Sequence, residues 1–202
     1  MGLLALILGA YLLGAVPFGW VVGKVWGSID VRRVGSGNIG TSNVMRTLGK
    51  GPALIVLFLD VMKGVVPVAL AGSLDFPPAA VIAVGVAAVA GHVWPVFLLF
   101  RGGKGIATTL GVTISLDWRL ALLLLGLWLV VLILTRYISV ASMTAAVALP
   151  FAVWGLGHPT EYIIGVLVIA LLALLRHRGN LSRLVAGTEY RFGERVQGAE
   201  RR

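Results

Sequence analysis

Two cations sit beside three glycines in Arg101-Gly102-Gly103-Lys104-Gly105, with apolar sequence on both sides. Bare backbone amides together with Lys and Arg are what a phosphate needs. The competing reading is a cytoplasmic turn whose cations follow the positive-inside rule. A second donor-rich stretch, Gly35–Arg46 (GSGNIGTSNVMR), carries almost no negative charge. Its glycines, Gly37 and Gly40 among them, let amides curl around an anion. Ser36, Asn38, Thr41 and Asn43 add side-chain donors, and Arg46 brings a planar fork that matches phosphate. It lacks the GxxxxGK[ST] pattern, so nucleotide hydrolysis is not expected. A third stretch runs RHRGNLSR from Arg176 to Arg183 and continues to Gly187-Thr188-Glu189. His177 and Asn180 are three apart, so one helical turn presents both to the same side. Glu189 is placed to brace a nearby cation.

Further polar residues interrupt the apolar segments. Lys104 stands where the fourth of these begins, a helix N-terminus that favours an anion, and Thr108 follows one turn later. Ser142 is near the start of the sixth segment, three residues after Ser139, and can face the same ligand. Asp60 and Lys63 share one helical face inside the second segment, where charges pair or line a cavity; we expect an ion pair there. His92 and Pro95 approach the glycine turn, and we expect them to shape the helix that leads to it. There is no cysteine, which removes disulfides, thiolate metal sites and a cysteine nucleophile. The histidines are scattered and carboxylates scarce, so no metal or other cofactor is expected.

Membrane helices must position these groups. The 202 residues are 58% hydrophobic and 12% charged, with a mean hydropathy of +0.97, whereas a soluble domain carries about 25% charge. Apolar segments run at about 3–23, 52–71, 79–99, 106–116, 120–134, 140–155 and 162–175. A straight crossing needs about 20 residues, so some of these are short. If all cross, 15 of the 17 Lys and Arg fall on one side. The positive-inside rule then places the N-terminus outside and the C-terminus in the cytoplasm. The expected fold is an all-α polytopic membrane protein of seven transmembrane helices. It forms one domain over 1–202, with a basic cytoplasmic tail at 190–202. The opening MGLLALILGAYLLGAV lacks a basic leader and a cleavage site, and reads as a retained first span. On this topology the three donor-rich stretches share the cytoplasmic face. They can converge on one pocket for a ligand with an anionic head and an apolar tail.

The stretches SGNIGTSNVMR (36–46), GHVWPVFLLFRGGKGIAT (91–108) and RHRGNLSRLVAGTE (176–189), with LDVMKG at 59–64, resemble the motifs of the bacterial acyl-phosphate:glycerol-3-phosphate acyltransferases, in order and spacing along essentially the whole chain. Thr41-Ser42 stands where that family is expected to have Ala-Thr, and a hydroxyl is kept. The resemblance implies an enzyme of the bacterial inner membrane, its site facing the cytoplasm. It would move a fatty acyl group from acyl phosphate to the 1-hydroxyl of sn-glycerol 3-phosphate, giving 1-acylglycerol 3-phosphate (lysophosphatidic acid) and phosphate in phospholipid synthesis. Its partners would be those two substrates and membrane lipid, without nucleic acid. The HxxxxD signature of other acyltransferases is missing. The implied catalytic set is Arg46, Lys104, His177 and Asn180. Ser36, Gly37, Asn38, Gly40, Thr41, Asn43, Gly102, Gly103, Thr108, Ser142 and Glu189 form the substrate-binding set. Either His177 or a substrate phosphate, whose second pKa is about 6, takes the proton; the phosphate is preferred because no carboxylate in the sequence is evidently placed to orient His177. A transporter or exchanger of phosphate compounds is the competing class.

Overall fold

The computed structural model describes residues 2–194 and is helical throughout, with no strand among them. The helices are α1 (Leu3–Ala15), α2 (Phe18–Gly27), α3 (Thr41–Leu48), α4 (Lys50–Ser73), α5 (Pro78–Val93), α6 (Ile106–Leu116), α7 (Trp118–Thr135), α8 (Ile138–Gly155), α9 (Thr160–Arg176) and α10 (Arg178–Val185). Five stretches are long and apolar enough to cross a membrane: Leu3–Gly27, Lys50–Ser73, Pro78–Leu98, Trp118–Thr135 and Ile138–Gly155. Thr160–Arg176 and Arg178–Val185, bent by 47°, make a sixth if taken as one span. The seventh expected crossing corresponds to α6, whose 11 residues rise only about 17 Å.

The first expected span is broken. Pro17 has no N–H to continue α1 and stands instead at the cap of α2. The outward faces of α1, α4, α7 and α9 carry Leu8, Leu12, Phe58, Leu122, Ile133 and Leu171, all exposed, as suits side chains meeting lipid. Lipid tails are as apolar as leucine, so helix association there depends on close packing. Two seams show it. Side chains at Gly14 and Gly91 would collide with the backbone of Ala88 and Tyr11, joining α1 to α5. Side chains at Gly64 and Gly111 would collide with the backbone of Thr108 and Val61, joining α4 to α6. α5 also packs on α9, and α8 lies between α7 and α9.

The main core gathers Val84, Val89, Val112, Leu120, Leu149, Val166 and Ile169. A second cluster of Val22, Val31, Ile39, Val44, Val56 and Leu98 anchors the 28–40 connection against α2, α3 and α4. That anchoring fixes the first donor-rich stretch beside the glycine turn. At the C-terminal end, Phe192 donates its amide to the Arg136 carbonyl and Tyr190 lies against Arg46. Residues 190–194 of the expected tail therefore include groups that fold back on the body, and 195–202 lie outside the described residues.

Candidate active site

A cavity of about 490 Å³ joins all three donor-rich stretches. Its polar end is formed by Arg46, Lys104, His177, Asn180 and Glu189, while Leu57, Leu110, Leu124, Leu149 and Ile169 line its apolar part. Charged and apolar side chains thus line one and the same chamber.

α3 begins beside this chamber, and Gly40, Thr41 and Ser42 line it, where the first amides of a helix lack intrahelical partners. The loop before α3 is organised from inside by Asn43. Its side-chain amide donates to the carbonyls of Val31, Val34 and Asn38, and its Oδ1 accepts the Ser36 amide at 2.9 Å. Asn43 was expected to bind substrate; its hydrogen-bonding capacity is spent holding the loop. Asn38 Oδ1 likewise accepts the Gly40 amide, while both residues and Ser36 still border the chamber. Gly37 supplies a turn with φ of 70° and is not on the wall. Arg46 is buried with its guanidinium 4.7 Å from the Tyr190 ring centre. Burial lowers its pKa, but a guanidinium remains charged.

Of the Gly102–Gly105 amides expected to cradle an anion, that of Gly103 alone has a partner among the described residues, and Lys104 and Gly105 lie on the wall. The Gly103 amide is occupied, donating to the His92 carbonyl at 3.0 Å. The carbonyls of Gly102 and Gly103 accept from Arg176 at 2.7 and 3.1 Å. A side chain at Gly102 would strike the His92 backbone and Pro95, and one at Gly103 would strike the His92 ring. These glycines are required by close packing, and neither lines the chamber. What the turn delivers is Lys104, on the wall and with no salt-bridge partner among the described residues. Burial pushes its ammonium down to about 8, with Glu189 opposing that shift and neighbouring arginines adding to it.

Thr108 is fully buried and absent from the chamber wall; it lies in the α4–α6 seam, which corrects its assignment to substrate. Thr109 lines the wall instead. Its hydroxyl and that of Thr41 are buried and unpartnered among the described residues, while the buried Ser139 hydroxyl is set toward Glu189. Unpaired buried hydroxyls are uncommon; Thr41 and Thr109 are wall residues, whereas Thr108, whose hydroxyl is also unpartnered among the described residues, is not.

His177 closes α9 and is 2% exposed. Its Nδ1 lies 2.7 Å from the Ala173 carbonyl, which can only accept, so Nδ1 carries the proton and Nε2 of the neutral ring offers a lone pair. Asn180 donates to Glu189 Oε1 at 2.6 Å, and Arg183 donates to Oε2 at 2.7 Å. Burial would raise the Glu189 pKa, but the hydrogen bonds from Asn180 and Arg183 prevail and hold it low. Glu189 thus holds Asn180 and Arg183 in place. Ser142 accepts from the Trp128 indole N–H at 3.1 Å, which leaves its own O–H free to donate. Trp128 and Arg176 are contributors that sequence reasoning missed as site residues. Both support a group 14 or more than 70 positions away, and neither carries a local spacing signal.

Comparison with known proteins bears on this arrangement. A family model described as glycerol-3-phosphate acyltransferase matches residues 4–187. A glycerol-3-phosphate acyltransferase of Rubrobacter xylanophilus is 49% identical over 193 residues, covering 96% of each chain. Crystal structures of PlsY (YgiH), an integral membrane glycerol 3-phosphate acyltransferase, superpose with TM-scores of 0.92 in the glycerol 3-phosphate form and 0.89 in the lysophosphatidic acid form. Their identities are 41% and 40%, over 96% of each chain. With the match running through nearly every helix and all three donor-rich stretches, the chain belongs to the glycerol-3-phosphate acyltransferase family.

Proposed function

We propose that this multi-pass membrane protein transfers a fatty acyl group from acyl phosphate to the 1-hydroxyl of sn-glycerol 3-phosphate. The products are lysophosphatidic acid and inorganic phosphate. One observation carries the reading: a single chamber is lined by Arg46 and Lys104, without salt-bridge partners among the described residues, and by a leucine-rich wall. Family membership favours it over the exchanger. The charge asymmetry of the loops supports a chamber open to the cytoplasm, in a bacterial inner membrane and within one domain.

In this mechanism Arg46 and the wall of the 36–42 loop hold the acyl-phosphate group. Lys104, Asn180 and Ser142 position glycerol phosphate. Holding the hydroxyl against the acyl carbon lowers the barrier by about 7 kcal/mol in a well-aligned geometry. The hydroxyl oxygen forms the new ester bond, the acyl–phosphate C–O bond breaks, and the hydroxyl proton finishes on the released phosphate. Donors around the chamber stabilise the intervening oxyanion. His177 Nε2 orients the hydroxyl by accepting its hydrogen bond. Passing the proton onward to a substrate phosphate avoids building an imidazolium near Lys104 and Arg176.

The test is phosphate release from palmitoyl phosphate by purified protein, which must depend strictly on glycerol 3-phosphate. Release without the acceptor indicates a phosphatase, and none at all sinks the proposal. Within it, His177→Asn retains substantial turnover at saturating substrate if a substrate phosphate is the base. Loss of all turnover would assign the proton to His177.

A further inference from the structure

Asp60, Lys63 and His92 take no part in the chemistry above, yet each is at most 4% exposed inside the helix bundle. Lys63 Nζ lies 2.9 Å from Asp60 Oδ1 and 3.2 Å from His92 Nδ1. Its ammonium also sits 5.3 Å from the Phe18 ring centre. Charges at this depth are costly, and apolar residues of similar volume commonly brace a bundle as well or better. The network also reaches beyond bracing, because Asp60 and His92 both line the chamber.

The chemistry of the donors fixes the ring. An ammonium can only donate, so His92 Nδ1 accepts from Lys63 and the neutral ring carries its proton on Nε2. That nitrogen lies against Gly103, where any side chain would collide with it. It has no hydrogen-bond partner among the described residues; the ring's polar side-chain contacts are both at Nδ1, with Lys63 Nζ at 3.2 Å and, more distantly, Asp60 Oδ1 at 3.7 Å. A proton-bearing nitrogen is therefore held on the chamber wall beside the turn that carries Lys104. On α4 the wall runs from Lys50 through Ala53, Leu54 and Leu57 to Asp60, so Asp60 and His92 return polar groups to a wall that is apolar from Ala53 to Leu57.

We propose that His92 is a substrate-binding residue, its Nε2–H donating to an oxygen of the acyl-phosphate group, with Lys63 and Asp60 acting through it as positioning residues that fix the tautomer. The proposal rests on the acyltransferase reading. A donor aimed at the reacting end gains strength as negative charge grows on that oxygen, so its loss lowers kcat by about a hundredfold to a thousandfold.

Three variants test it in detergent-purified protein, with kcat and KM for palmitoyl phosphate and thermal stability read together. His92→Phe keeps a ring beneath Gly103 but removes the N–H; kcat falls about a hundredfold or more while Tm stays near wild type. His92→Gln restores an amide N–H at nearly the Nε2 position and recovers most of the rate. The double variant D60L/K63M removes both charges together, leaving none unpaired, and lowers kcat because the tautomer is no longer fixed. Wild-type kcat in His92→Phe overturns the proposal, as does an equal loss in the Phe and Gln variants, which would assign the effect to ring shape. Should the Phe variant fail to fold, full activity in D60L/K63M overturns it instead. A wild-type protein inert on palmitoyl phosphate would sink the acyltransferase reading; an active wild type with an unaltered Phe variant sinks the His92 assignment alone.

Discussion

The two ends of the helix bundle use similar residues for opposite purposes. At the α6–α7 turn, Asp117 caps α7 by accepting the Arg119 amide, pairs with the Arg119 side chain at 2.8 Å, and meets His158 Nε2 at 3.1 Å. Hydrogen bonding to Arg119 holds the Asp117 carboxyl down at about 2. Carboxylate, guanidinium and imidazole satisfy one another there, tying the α6–α7 turn to the loop before α9. At the chamber end, Glu189 is also satisfied, by Asn180 and Arg183. Arg46 and Lys104 have no carboxylate of their own among the described residues. A charge cluster whose members cancel is a fastening; one left with surplus cations recruits an anion.

Removing the surplus breaks this contrast most severely. Lys104→Ala lowers kcat/KM for glycerol 3-phosphate by about a hundredfold, the equivalent of about 3 kcal/mol for a charged hydrogen bond. The protein should remain folded by size-exclusion chromatography, and wild-type activity would refute the role. Next comes pH. Because the Lys104 ammonium is depressed to about 8, it is charged below that value and neutral above it. The kcat/KM for glycerol 3-phosphate should therefore fall as pH rises through about 8. Lys104→Arg should move that limb beyond the accessible range, since guanidinium does not titrate there. Weaker still, Trp128→Phe frees Ser142 from its indole donor and raises KM several-fold, with kcat changing less, at about 1 kcal/mol for one neutral hydrogen bond. At the other end, Asp117→Ala removes a helix cap and costs about 1 kcal/mol of stability, read as a lower Tm, with kcat and KM unchanged. A large activity loss there would erase the distinction between the two ends.

The chamber's ingredients were legible because cations and glycines are conspicuous in an apolar chain, and loop charge placed them on one face. Their division of labour was less legible. Asn43 reads as a donor, but a side-chain amide can serve a ligand or its own loop, and only the positions of the Val31, Val34 and Asn38 carbonyls decide. Gly102 and Gly103 suggest open amides, whereas the reason for their small size is His92, ten residues earlier in a helix whose end turns back on them. Thr108 and Thr109 are indistinguishable by type. Helix rotation sends the first into a seam and the second to the chamber. The Asp60–Lys63 pair follows from helical spacing, but its third member is 29 residues away on another helix. The break at Pro17 was hidden by hydropathy, which averages across α1 and α2 and records one span.

The two glycine seams give the chamber walls unequal freedom to change. α4 and α6 approach so closely at Gly64 and Gly111 that even a methyl group would force them apart, and α6 begins just after Lys104. Any change to that wall moves Lys104 with it. α7 is held by larger, sparser side chains, with Leu124 on the wall and Leu122 and Leu123 turned outward. Substitutions that reshape the chamber have room to accumulate on α7, while the α4–α6 wall stays fixed.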